Sequence, residues 1–286
     1  MEWRGRRGSG NIEDRRGVRG VRGASVGGVG GIGVIAVVVI GYFLGFDLTP
    51  LLNDSQTQTQ QTGAPAQITD ADKQAGQFVS VVLADTEEIW AGVFKQQIGE
   101  TYTPAKLVLF KGVTQSPCGD ASGATGPFYC PGDKKVYLDT DFFTTMSRQL
   151  GAEGDFAMAY VVAHEIGHHV QDEMGILSQA NDVRGRSSEA DANEISVRIE
   201  LQADCLAGIW AREAQNTFGS IEKGDFEEAV NAAKQIGDDT LQRSAGRVPM
   251  PESFTHGTSA QRSTWFVKGL NSGQLSACDT FSASNL

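Results

Sequence analysis

No CxxC pair occurs in the chain, and its four cysteines and four histidines are few for 286 residues. A zinc knuckle and a thioredoxin-type redox motif are thereby excluded. Positive charge is scarce in the main body. Residues 1–46 hold seven arginines (Arg4, Arg6, Arg7, Arg15, Arg16, Arg19, Arg22) against Glu2, Glu13 and Asp14, a net of +4. With −11 overall, the other 240 residues carry −15. An acidic body lacks the basic footprint that nucleic acids require, so no nucleic-acid partner is expected. Charge of either sign is absent from Ala24 to Phe46.

That uncharged run is densest at Val34–Leu44. A bilayer-spanning helix needs roughly 20 largely apolar residues. The arginines lie on its N-terminal flank, which the positive-inside rule places in the cytoplasm. The expectation is a single-pass cell-membrane protein with a cytoplasmic N-terminus and an extracytoplasmic catalytic domain. A cleaved signal peptide is the competing reading, but no small-x-small cleavage site follows the run. Four chain segments result: a basic disordered tail (1–23), a transmembrane anchor (24–46), a Gln/Thr-rich linker (47–69) and one folded domain (70–286).

Within that domain, apolar spacing over 71–97 predicts a helix, and 106–110 and 136–138 read as short strands. Residues 116–133, with several Gly and Pro, read as a loop. Helices are expected at 139–150, 155–173, 187–215, 226–242 and 259–270. The fold class is therefore α+β, mostly helical, with a small sheet. An exported domain with an even cysteine count permits disulfides. Cys118 and Cys130 flank the Gly-rich loop and are the natural local pair. Cys205 and Cys278 either pair or leave Cys205 as a buried thiol.

Three of the four histidines fall at 164, 168 and 169. His164 and His168 are four residues apart on a predicted helix, so both rings reach one ion from one face. Glu165 sits beside the first of them, where it can act as a general base. The next long helix supplies Glu200 and Asp204, also on one face. A catalytic zinc commonly takes three protein ligands and leaves a fourth place open. His164, His168 and Glu200 make that set, with Glu194 the rival third ligand. Asp204 then accepts the spare N–H of a ligand histidine and fixes its tautomer. His169 points about 100° away from His168 and is not read as a ligand. The remaining histidine, His256, precedes a predicted helix and is the candidate oxyanion donor, with Arg262 a second.

On these residues the sequence resembles the bacterial putative neutral zinc metallopeptidase family. The resemblance is carried by 11–17 (Asn-Ile-Glu-Asp-Arg-Arg-Gly), 126–131, 135–139, 163–171, 200–205 and 256–262. HExxH followed by ExxxD on a later helix is also similar to the gluzincin arrangement. The resemblance implies a zincin-like domain and a protein or peptide substrate, with Glu200 as third ligand and Asp204 as its partner. The alternative to a zinc metallopeptidase is a membrane-tethered scaffold whose zinc only stiffens the domain. Glu165 separates the two, because a structural site has no use for a carboxylate beside its first ligand.

Overall fold

A computed structural model describes residues 1–17, 67–122 and 125–286. The sheet has four strands in the order β1-β2-β6-β5. β1 (Ile12–Asp14), β2 (Lys106–Phe110) and β6 (Lys135–Asp139) run parallel, and β5 (Phe128–Cys130) pairs antiparallel with β6. A separate hairpin joins β3 (Val113–Ser116) to β4 (Gly119–Ser122). Among the described residues, eight α-helices pack with the sheet. They are α1 (Asp70–Val93), α2 (Asp141–Gln149), α3 (Asp155–Glu173), α4 (Ile176–Arg184), α5 (Glu189–Phe218), α6 (Asp225–Gln235), α7 (Asp238–Ser244) and α8 (Ser259–Ser272). The described residues thus form an α+β, mostly helical fold with a small sheet.

α3 is the centre of the molecule. Every residue from Phe156 to Gln171 is buried. A helix buried all round belongs in a core, and α3 packs against α1, α5, α6 and the sheet. Its seat against α5 depends on Gly167, where a Cβ would lie 3.1 Å from the Ala203 carbonyl oxygen. α5 crosses α8 at Gly208 and Gly269, where each glycine faces the other helix's backbone with no room for a Cβ. Thr258 begins α8 with a capping box, its hydroxyl accepting from the Gln261 N–H and the Gln261 side chain accepting in return.

The expected disorder of 1–23 is corrected for residues 1–17. Met1 and Trp3 are buried in the core, and Ile12–Asp14 pair with Leu107–Leu109. Arg6 makes two bonds to Asp85 (2.7 and 2.8 Å). Arg16 bonds Asp14 and the Asp72 carbonyl. Arg6 is used as the partner of the buried Asp85 and Arg16 as the partner of a buried backbone carbonyl, so these charges do not solvate a free tail. The Met1 ammonium lies 2.6 Å from Asp155 and 3.2 Å from Asp225.

A Cβ on Gly17 would touch Ile68 at 3.7 Å, so the ends of the two described segments lie side by side. The expected anchor at 24–46 and the linker as far as residue 66 lie outside the described residues. No described helix is long and apolar enough to cross a membrane.

Other boundaries differ locally. The expected loop at 116–133 contains β4 and β5. The single helix expected over 226–242 is broken at Gly237, which lies against Ser259. Both disulfides are present, Cys118–Cys130 and Cys205–Cys278.

Candidate metal centre

Because α3 and α5 approach closely at Gly167 and Ala203, the HExxH face of one meets the ExxxD face of the other. The ligand atoms of His164, His168 and Glu200 all lie within 4.8 Å of one another. His164 Nε2 is 3.1 Å from Glu200 Oε2, and His168 Nε2 is 3.5 Å from Glu200 Oε1. Two donor atoms on one tetrahedral zinc, each at about 2.1 Å, lie about 3.4 Å apart. The donor set and its spacing therefore fit zinc.

The site's electrostatics also favour a cation. Burial opposes ionisation of Glu200, but His168 and His164 outweigh it and hold the carboxyl well below its ordinary range. Burial likewise opposes charge on His164, yet Asp204 and Glu200 push that imidazole up to about 10. The buried carboxylates demand a positive charge, and a metal ion can supply it in place of a proton.

Asp204 has no exposed surface. It accepts from His164 Nδ1 (2.8 Å), Tyr160 Oη (2.5 Å), Arg262 Nε (2.9 Å) and an Arg262 terminal nitrogen (3.0 Å). An ionised carboxylate only accepts, so His164 Nδ1 carries a proton, and Nε2 is the nitrogen turned to Glu200 and left for a metal. Arg262 is therefore not an exposed oxyanion donor: it is buried and spent on Asp204. Tyr160, four residues before His164, belongs to this cluster. It was not marked out in the sequence, although i, i+4 spacing puts it on the ligand face.

Glu165 is buried, and none of the described residues hydrogen-bonds to it. Burial raises its pKa, against the pull of His164 and His168. His256 is held by Asp238, whose carboxylate accepts the N–H groups of Thr255 (2.8 Å), His256 (2.7 Å) and Gly257 (3.1 Å). Gly257 abuts Val197 and Leu201 on α5, on either side of Glu200. Burial opposes charge on His256, but Asp238 and Glu200 raise its pKa.

Two residues lie apart from the centre. His169 is buried beside Tyr129 and the Thr103 carbonyl (2.7 Å). Glu194, the rival third ligand, is ion-paired with Arg198 at 2.8 Å. A second acidic group, Asp155, Asp225 and Glu228, could also hold a metal by its spacing, but two of its carboxylates already hold the Met1 ammonium.

Two histidines and a half-buried carboxylate thus form a set that could hold a metal ion, with a buried glutamate next in sequence to the first of them. The chain belongs to the family described as putative neutral zinc metallopeptidase, whose profile matches residues 1–281. It is 45% identical to the uncharacterized protein YpfJ of Escherichia coli over 292 residues, covering 99% of this chain and 100% of that protein. It is 41% identical to the uncharacterized protein Rv2575 of Mycobacterium tuberculosis over 222 residues, 74% of each chain. No solved structure matches.

Proposed function

We propose that the protein is a zinc-dependent peptidase with a zincin-like site. The carrying observation is the convergence of three ligand atoms on one side of a buried, unengaged Glu165. His164, His168 and Glu200 would hold the metal. Bound there, zinc would supply Lewis-acid polarisation of the scissile carbonyl and of the attacking water. Glu165 takes the proton from the attacking water and passes it to the leaving amine. Its raised pKa suits it to that return, because a carboxyl with too low a pKa does not hold the proton. His256, whose pKa Asp238 and Glu200 raise against burial, donates to the oxyanion that forms on the carbonyl. A scaffold with a purely structural metal leaves a buried glutamate without a task, which favours the enzyme.

Glu165→Gln should keep zinc and fold but lose about 10²–10⁴-fold in hydrolysis. Metal analysis and a peptide-library assay on both proteins check this. Loss of zinc in the variant, or equal inertness of two zinc-loaded proteins, would count against the proposal.

The proposed location is the extracytoplasmic face of a membrane. The two disulfides support an oxidising compartment. The apolar run at 24–46 tethers the domain. An added cysteine at Gly10, in a stretch with open space around it and next to the strand paired with β2, should react with an impermeant maleimide in intact cells. Labelling only after lysis would place that strand and the domain it pairs with in the cytoplasm and overturn the proposed location.

A further inference from the structure

His164 owes its tautomer to Asp204, but no carboxylate supports His168. Its Nδ1 lies 2.9 Å from Gln171 Oε1. Gln171 is fully buried, and its Nε2 lies 2.8 Å from the Ile199 carbonyl oxygen and 3.0 Å from Gln202 Oε1. Gln202, also buried, donates from Nε2 to the Cys278 carbonyl oxygen at 2.9 Å. Cys278 is bonded to Cys205, one helical turn beyond Gln202 on α5.

An amide offers both a donor and an acceptor, so by itself Gln171 could face His168 with either end. The two ends of this chain remove that freedom. Backbone carbonyls only accept. The Cys278 carbonyl obliges Gln202 to donate, so Gln202 Oε1 must accept from Gln171. The Ile199 carbonyl makes the same demand. Gln171 can then present only its oxygen to His168, and His168 must carry its proton on Nδ1. Its Nε2 is then the nitrogen that faces Glu200 and is left for a metal.

We infer that Gln171 and Gln202 form a polarised amide relay that positions His168 as an Nε2 metal ligand, with the Ile199 and Cys278 carbonyls setting its direction. The inference rests on the metal-site reading above. Gln171 acts through His168 and touches no reacting atom, so it is a positioning residue.

The test uses the full chain in detergent. Long-range ¹H–¹⁵N correlation on the metal-free protein reads each histidine's tautomer, and there are only four histidines to assign. Zinc affinity is measured by competition with a chromophoric chelator. In the wild type, His168 Nδ1 should carry a proton and donate it to Gln171. Gln171→Leu should lose that fixed Nδ1 proton and weaken zinc binding by about 10–100-fold, the usual effect of removing such a partner. Gln202→Leu should do the same more weakly, because Ile199 still holds Gln171. A wild-type His168 without a proton on Nδ1 would overturn the relay without any variant. So would a Gln171→Leu protein with unchanged tautomer and affinity, or a Gln202→Leu protein affected as strongly. A wild type that shows the expected tautomer but binds no zinc would sink the metal reading and leave the relay standing.

Discussion

The two histidines of the motif face one site but are supported by opposite chemistry. His164 rests on Asp204, a charge neutralised by Arg262 and bonded by Tyr160. His168 rests on Gln171, a neutral amide in a chain that ends on backbone carbonyls. Both arrangements leave Nε2 free, so the tautomer can be fixed with or without charge. The difference lies in what each costs when broken. A buried ion pair that loses one member strands the other. A neutral amide that is lost strands only dipoles.

Asp204→Asn should therefore have the largest effect, destabilising the fold by about 3–5 kcal/mol because Arg262 is left buried and unpaired. Denaturant unfolding measures it. Asp204→Asn combined with Arg262→Met should recover much of that stability without restoring zinc affinity. Recovery of both would mean that Asp204 serves packing alone. Gln171→Leu should cost less, about 1–3 kcal/mol, for the polar groups left unsatisfied. A cost equal to that of Asp204→Asn would erase the contrast. Gly167→Ala acts on both supports at once, because a Cβ there crowds the Ala203 carbonyl and parts α3 from α5. It should cost about 1–3 kcal/mol and weaken zinc binding. If zinc affinity is unchanged, the close crossing is not what brings the ligands together.

The smallest effect is expected away from the centre, at the N-terminal seat. Burial pushes the Asp85 carboxyl up to about 6 from 3.8, and Arg6 offsets this only in part. The folded state then binds a proton that the unfolded chain has already released. Asp85's contribution to stability accordingly falls as pH rises from about 4 through about 6. In Asp85→Asn, melting temperatures across that window should decline less steeply with pH. An unchanged slope would show that Asp85 is not buried as described.

The sequence by itself determined the face-to-face set of residues at 164, 165, 168, 200 and 204, because each half repeats at helical spacing within one element. It determined the α+β balance and the central helix for the same reason. Gln171 was within reach of that logic, three residues beyond His168. Nothing local marks an amide as a histidine's partner, since its own partners at Ile199, Gln202 and Cys278 come from other segments. Tertiary structure alone decided that Arg262 is consumed by Asp204 and that Glu194 turns to Arg198. It alone decided the fate of the basic N-terminus. Ile12–Asp14 is three residues long and two of them are charged, so no periodicity distinguishes it from a solvated tail. Its partner, Leu107–Leu109, lies more than ninety residues away. A strand of that kind is specified by the edge it completes and by the buried Asp85 that nearby Arg6 meets, and neither exists until the rest of the chain has folded.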